Sequence, residues 1–164
     1  MNTETLREVR SDAGRQPLKC WLNRRTVLVT TDVLRAVRGV DAESIYDAVD
    51  NFRLRWVFNI STDPAKVREL RFWAKEAIAP EFTQRLKLAG VMTQILGPDR
   101  ARWSGSEIQQ LLLVSRPTVM RLHRHGVLPG KVVRRTFWTT RQELEHFLQK
   151  RWVSAGLGFK EGNR

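Results

Sequence analysis

The sequence has almost no cysteine and no long hydrophobic run, and each absence excludes a class of protein. Cys20 is the only cysteine, so the chain can form no intramolecular disulfide and a reducing cytoplasm is the expected compartment. The N-terminal stretch MNTETLREVRSDAGRQPLK contains no apolar segment of the kind that directs secretion. No stretch approaches the roughly 20 apolar residues that a membrane-spanning helix needs. We therefore expect a soluble cytoplasmic protein with no membrane partner.

Motifs of enzymes and metal sites are also missing. There is no phosphate-binding loop, no pair of histidines at zinc-protease spacing and no paired cysteines. The acidic residues are scattered, whereas a nuclease gathers carboxylates around a metal. His123 and His125 are two residues apart, so on a helix they point to different faces. We expect no enzyme, no cofactor and no metal.

What the chain does have is positive charge. Lys and Arg number 29 against 17 Asp and Glu, which gives a net charge of +12. Hydrophobic residues make up 41% of the chain, as in a folded globular protein. The charge favours an acidic partner: nucleic acid, anionic lipid or an acidic protein.

The pattern of apolar residues and helix caps divides the chain into five segments. They are a basic arm (1–25), a first helical unit (26–79), a helical connector (80–100), a second unit (101–152) and a flexible tail (153–164). In the first half we expect a strand at 54–61 and helices at 42–51, 64–79 and 81–96. The fold class is therefore expected to be mainly α with short β segments.

The second unit carries an ordered series of signals. They are a capping box at Ser104–Glu107, VSRPTV at 114–119, GVLPG at 126–130, the basic KVVRRTFW at 131–138 and QEL at 142–144. Over 103–148 this order and spacing resembles the winged helix-turn-helix of the excisionase and MerR-like regulators. Leu113 stands where that family usually has a turn glycine, and Gln109 where it has a small residue. Leucine resists positive φ, so we expect a more open turn between the two helices.

The resemblance implies a DNA-binding protein of a bacterial or phage nucleoid. A recognition helix, 115–125, would enter the major groove, and a wing, 131–138, would contact the flanking backbone or a minor groove. The helix's Val119 and Leu122 are expected to face the core, with Val114 just before it. The expected DNA-binding residues are Ser115, Arg116, Thr118, Arg121, Arg124, His125, Lys131, Arg134 and Arg135.

A weaker echo of this unit occurs in the first half. Shifting the sequence by 74 residues lays VTTDVLRAVRGVDAESIYDAVDNFRL over WSGSEIQQLLLVSRPTVMRLHRHGVL, and Val40 and Ile45 then match Val114 and Val119. This predicts a second, degenerate copy at 26–79, so that the fold would be two tandem winged units joined by a helix. The alternative is a coincidence between two short helical pairs. The helix at 41–51 is acidic, so phosphates would repel it, and a protein partner is its expected use.

The sequence thus predicts a double-stranded DNA-binding protein, either a transcriptional regulator or an excisionase-like recombination accessory factor. A homodimer or cooperative neighbours on DNA are expected, held by residues 64–96. The alternative is a protein-interaction adaptor whose winged units are docking surfaces and whose charge is incidental.

Overall fold

A computed structural model describes residues 27–97 and 100–154. The predicted basic arm at 1–25 lies outside the described residues, as does most of the predicted tail. The strands are β1 (Leu28–Thr30), β2 (Val57–Asn59), β3 (Leu70–Trp73), β4 (Arg102–Ser104), β5 (Lys131–Val133) and β6 (Thr136–Thr140). The helices are α1 (Thr31–Arg38), α2 (Ala42–Asp50), α3 (Ala74–Ile78), α4 (Pro80–Thr83), α5 (Leu88–Leu96), α6 (Gly105–Leu112), α7 (Arg116–Arg124) and α8 (Arg141–Arg151).

The same order of elements occurs twice. In the structure the predicted first unit (26–79) spans residues 28–78, and the predicted second unit (101–152) spans residues 102–151. Each unit runs strand, helix, helix, strand, strand, helix. The bounds of β1, α1, α2 and β2 shifted by 74 residues coincide with those of β4, α6, α7 and β5. Each unit has a three-stranded antiparallel sheet in the corresponding order, β1-β3-β2 and β4-β6-β5. The echo in the sequence therefore corresponds to a repeated arrangement of elements.

Local sequence explains where the helices of the first unit begin and end. Thr30 caps α1 by accepting a hydrogen bond from the Val33 N–H at 3.3 Å. Gly39 ends that helix at φ 65°, a left-handed conformation that costs glycine little. Asp41 then caps α2 through the Ser44 N–H at 2.8 Å. The predicted helix at 42–51 is confirmed.

Two predicted helices are wrong. The segment 64–79 was expected to be one helix, but Leu70–Trp73 is a strand and only Ala74–Ile78 is helical. The segment 81–96 is broken between α4 and α5 by residues 84–87, which are not helical. All four residues of β3 are buried, so both faces of the strand are covered. Such a run lacks the alternation that marks a strand, and its spacing fits a helix equally well.

The connection between the second and third strands of the sheet differs between the units. In the first unit β2 and β3 are joined by a long loop, residues 60–69, whose ends are held by the buried side chain of Asn59. The Asn59 amide nitrogen donates to the Val67 carbonyl at 2.9 Å, and its oxygen accepts from the Glu69 N–H at 3.1 Å. In the second unit the corresponding strands are joined by only two residues, Arg134 and Arg135.

One hydrophobic core joins the two units and α5. It contains Trp56, Phe58 and Trp73 of the first unit together with buried side chains from α5 to α8. A second, smaller core lies between the sheet of the first unit and the helices α1 and α2. Val153, which follows α8, also packs against it. The first sheet is thus covered on both faces, by its own helices on one side and by the second unit on the other.

Two tryptophans fasten the end of α8 to the first unit. Trp56 and Trp152 stack with ring centroids 5.1 Å apart and an interplanar angle of 13°. The Trp152 indole N–H donates to the Arg55 carbonyl at 2.8 Å, and the Trp56 indole N–H donates to the Thr83 carbonyl at 2.8 Å. Both rings are therefore packed and hydrogen-bonded, as is usual for buried indoles.

The fold class is mixed α/β with two small antiparallel sheets. It contains more strand than the mainly α expectation, because β3 replaces predicted helix. Among the residues described, no helix combines the length and the apolar composition needed to cross a bilayer.

We predict that the two units unfold together. Trp56→Ala removes a side chain that is 0% exposed in the shared core and should lower the free energy of unfolding by about 3–5 kcal/mol. Urea unfolding should remain one transition. The free energy of opening measured by hydrogen exchange at Leu144 and Phe147 of the second unit should fall by the same amount as the free energy of unfolding. Phe82→Ala is the control, since Phe82 is 73% exposed. Retained protection of the second unit in Trp56→Ala would contradict a shared core.

Candidate nucleic-acid interface

The start of helix α7 is favoured by the residue in its first turn, and two apolar side chains determine which face it buries. Pro117 occupies the first turn, where the missing N–H costs nothing. Val119 and Leu122 are each 1% exposed and fix the inner face, as the sequence predicts. Val114, just before the helix, is partly buried against the same core.

The outer face of α7 is basic and free of acids. Arg116, Arg121, Arg124 and the following His125 are exposed. None of them takes part in an ion pair with any residue in 27–97 or 100–154. Ser115 and Thr118 hydrogen-bond to each other through their hydroxyls at 3.1 Å and lie at the start of the helix. The positive charge of this face is therefore not neutralised within the described structure.

The hairpin β5–β6 has an arginine pair at its tip. Arg134 and Arg135 have φ 49° and 64°, so the two-residue turn has the left-handed backbone of a type I′ turn. Asn-Gly is the preferred sequence for such turns, because a β-carbon is strained at positive φ. The tip thus carries two exposed cations in a conformation that arginine adopts at a cost.

Helix α7 and the hairpin tip are in contact. The Arg116 guanidinium donates to the Arg135 carbonyl at 3.2 Å. A shallow groove lies between them, lined by Gln109, Arg116, Met120 and Arg135 among others. The structure therefore brings the first residue of the predicted recognition helix and the tip of the predicted wing together.

The base of the hairpin is packed too closely for a side chain at Gly130. A β-carbon there would lie 2.5 Å from the Phe137 ring and 2.5 Å from the Trp138 carbonyl oxygen. A side chain at the last residue of the GVLPG motif would therefore clash with the hairpin. Lys131 follows it at the start of β5 and is exposed.

A helix cap lies where the β5–β6 hairpin leads into α8. Thr140 and Glu143 form a capping box at the start of α8. The Thr140 N–H donates to the Glu143 carboxylate at 2.8 Å, and this hydrogen bond lowers the pKa of Glu143. The capping box at Ser104 and Glu107, predicted for α6, is likewise confirmed.

Two side chains in this region differ from the sequence-based prediction or were missed by it. His123, on the same helix as the predicted DNA contacts, is half-buried, with its Nδ1 3.2 Å from the Leu128 carbonyl oxygen and its ring against Phe137. Arg102 of β4 was not predicted; its guanidinium lies over the Trp138 ring of β6, 4.9 Å from the ring centroid. The only feature of the sequence that could have drawn attention to Arg102 was its position just before the Ser104–Glu107 capping box.

The turn between α6 and α7 also differs from expectation. Leu113 adopts φ 53°, ψ 51°, although leucine was expected to resist positive φ. The buried Arg71 of the first unit contacts this turn: its Nε donates to the Leu112 carbonyl at 2.5 Å and its Nη2 to the Leu113 carbonyl at 3.2 Å. Sequence reasoning missed Arg71, because it assigned the surrounding segment to a helix.

Helix α2 of the first unit occupies the place that α7 has in the second, with the opposite charge. Asp47 and Asp50 correspond to Arg121 and Arg124 under the shift of 74 residues. Both aspartates are exposed. Asp50 forms an ion pair with Arg68 of the 60–69 loop at 3.0 Å.

Comparison with known proteins finds no matching family model, no matching curated protein and no matching solved structure. Among the residues described, no group of three or more His, Cys, Asp or Glu side chains is placed to hold a metal ion. The interpretation of this surface therefore rests on its geometry and charge.

We predict that an Asn-Gly sequence at the tip stabilises the hairpin. The double variant Arg134→Asn/Arg135→Gly should raise the free energy of unfolding by about 1 kcal/mol, because both new residues tolerate positive φ. Urea denaturation followed by circular dichroism measures the change. Lys131→Asn is the matched control, since it removes a nearby charge outside the turn and should leave stability unchanged. A loss of stability in the double variant would show that the turn does not have this conformation.

Proposed function

We propose that the chain binds double-stranded DNA through α7 and the β5–β6 hairpin, as a winged helix-turn-helix. The observation that carries this proposal is the exposed, acid-free basic face of α7, hydrogen-bonded at Arg116 to the tip of the hairpin. Helix α7 would lie in the major groove and the hairpin on the flanking backbone. The biological role proposed is that of a transcriptional regulator or an excisionase-like recombination accessory factor.

The dimensions and chemistry of the groove support this arrangement. An α-helix with its side chains is about 10–12 Å across, and the major groove is about 12 Å wide. Arginine donates two hydrogen bonds to the edge of guanine, or binds phosphate, and the Thr118 methyl group suits the methyl group of thymine. Arg121 and Arg124 are exposed and without acidic partners in the described structure, so they are available for such contacts.

The strain at the hairpin tip also supports a binding role. A sequence selected for stability alone favours Asn-Gly in a two-residue hairpin turn. Backbone strain that persists is often found at functional sites. Arg134 and Arg135 place two charges at the tip of the hairpin, where they can reach DNA phosphates.

The first unit repeats the order of elements of the second unit, but its helix α2 is acidic where α7 is basic. We propose that it is a degenerate copy whose α2 does not enter a groove, since Asp47 and Asp50 would face phosphates. The exposed acids also support the second candidate function, a protein-interaction adaptor that docks a basic partner on α2. The two functions differ in salt dependence: binding of duplex DNA by several phosphate contacts falls steeply with salt, whereas the adaptor binds no duplex at about 100 mM salt.

A homodimer held by residues 64–96 stays a proposal, with less support than the sequence indicated. Val91, Met92 and Ile95 of this segment are buried in the chain's own core. Within 64–96 the large exposed apolar side chains are Val67, Ile78 and Phe82. A partner would therefore have to cover this smaller set, and cooperative neighbours on DNA are the other way to extend the interface.

We predict that the basic helix, not the acidic one, determines DNA affinity. Arg121→Ala should weaken binding to a duplex selected from a random library by about 1–3 kcal/mol if Arg121 reads a base, and Arg116→Ala likewise. Asp47→Ala and Asp50→Ala, at the corresponding face of α2, should leave affinity unchanged or raise it. Fluorescence anisotropy of the labelled duplex measures both. A loss from the aspartate variants alone would reverse the assignment of the units.

We predict that the hairpin arginines contact phosphate. Arg134→Ala and Arg135→Ala should each weaken binding to all duplexes about equally and lower the salt slope by about one unit per lost contact. The Arg134→Asn/Arg135→Gly variant separates binding from folding, since it should be more stable and yet bind more weakly. An altered preference at one base pair would instead identify the hairpin as a base reader.

A further inference from the structure

We propose that Arg71 of the first unit is a positioning residue for DNA recognition by the second. It fixes the turn between α6 and α7 and thereby the direction of α7. This inference rests on the proposed function, because it assigns a role in recognition to a side chain that belongs to a residue only 6% exposed and lies outside the binding surface.

The guanidinium of Arg71 is held from several sides. Besides the Leu112 and Leu113 carbonyls, it donates to the Leu70 carbonyl at 3.0 Å and pairs with the Glu69 carboxylate at 3.4 Å. A guanidinium is planar, with its donors in a fixed fork. Its hydrogen bonds to two successive carbonyls of the turn therefore fix the orientation of the turn as well as its distance from β3. A lysine ammonium has the charge but not this fork.

The turn needs such support because it lacks glycine. Gly39 ends α1 of the first unit at φ 65°, and Leu113 ends α6 at φ 53°. The left-handed conformation is strained for a residue with a β-carbon and costs glycine little. A cation at the carboxyl end of a helix interacts favourably with its unpaired carbonyls. Arg71 is the cation that meets these carbonyls, and it comes from the other unit.

The turn also determines where α7 lies relative to α6. The cap of α7, Ser115, lies two residues after Leu113. The Val114 N–H donates to the Gln109 carbonyl at 3.2 Å, so the path between the helices is closed by backbone hydrogen bonds on one side and by Arg71 on the other. Loosening the turn would leave α7 folded but free to change its angle to α6 and to the hairpin.

The experiment compares Arg71→Lys with Arg71→Lys/Leu113→Gly. The readout is the ratio of affinities for two duplexes, one selected by the wild-type chain from a random library and one a scramble of the same composition. Arg71→Lys should reduce this ratio by about tenfold, as the loss of one base contact does. Leu113→Gly should restore it, because glycine holds the left-handed turn without Arg71. Arg68→Lys, an exposed arginine of the same unit, is the control and should change nothing.

A DNA-free measurement separates this inference from the proposed function. Hydrogen exchange at the Leu113 and Val114 amides should accelerate in Arg71→Lys and recover in the double variant. If the wild-type chain selects no duplex, the proposed function fails, and the exchange data still test the role of Arg71 at the turn. If Arg71→Lys does not fold, a folded Arg71→Lys/Leu113→Gly variant with the wild-type ratio supports the inference, and failure of both variants to fold overturns it. An unchanged ratio, or a reduced ratio with unchanged exchange, would overturn the inference.

Discussion

The burial of the first sheet on both of its faces is the constraint on which the rest of the structure depends. Alternate residues of β3 point to opposite sides: Leu70 and Phe72 pack on the unit's own helices, whereas Trp73 joins the core shared with the second unit. Arg71 is two residues from Trp73, so it lies on the same side of the strand, and it hydrogen-bonds to the Leu112 carbonyl of the second unit. Because one strand supplies both cores, neither face of the sheet can be exposed without exposing large apolar side chains to water.

This constraint explains how a repeated arrangement can have two different roles. The second unit keeps a short hairpin and a basic helix at its surface, whereas the first has a long loop and an acidic helix. A sheet committed to packing against its neighbour cannot present its strand faces elsewhere. On the proposed function, the first unit contributes by support: Trp56 anchors the final helix through Trp152, and Arg71 holds the turn before α7.

Prediction from the sequence failed where burial on two sides removed the periodic signal. In LRFW, Leu70, Phe72 and Trp73 fit a helix as well as a strand, and the flanking AKVRE and AKEAI favour helix. Prediction succeeded where a cap residue acts locally, as at Ser104. It also failed at Leu113, whose carbonyl accepts a hydrogen bond from Arg71, a residue 42 positions away in the chain that no local pattern connects to this turn.

The sequence by itself determined the helix pair and the position of the basic residues in the second unit, since these follow from caps, turns and periodicity within about ten residues. It also determined the shift of 74 residues that relates the two units. Only the tertiary structure decided that β3 is a strand, that Arg116 meets the hairpin tip and that Arg71 supports the turn. These depend on contacts between segments far apart in the chain, and no local pattern records which distant side chain will satisfy a carbonyl or cover an apolar face.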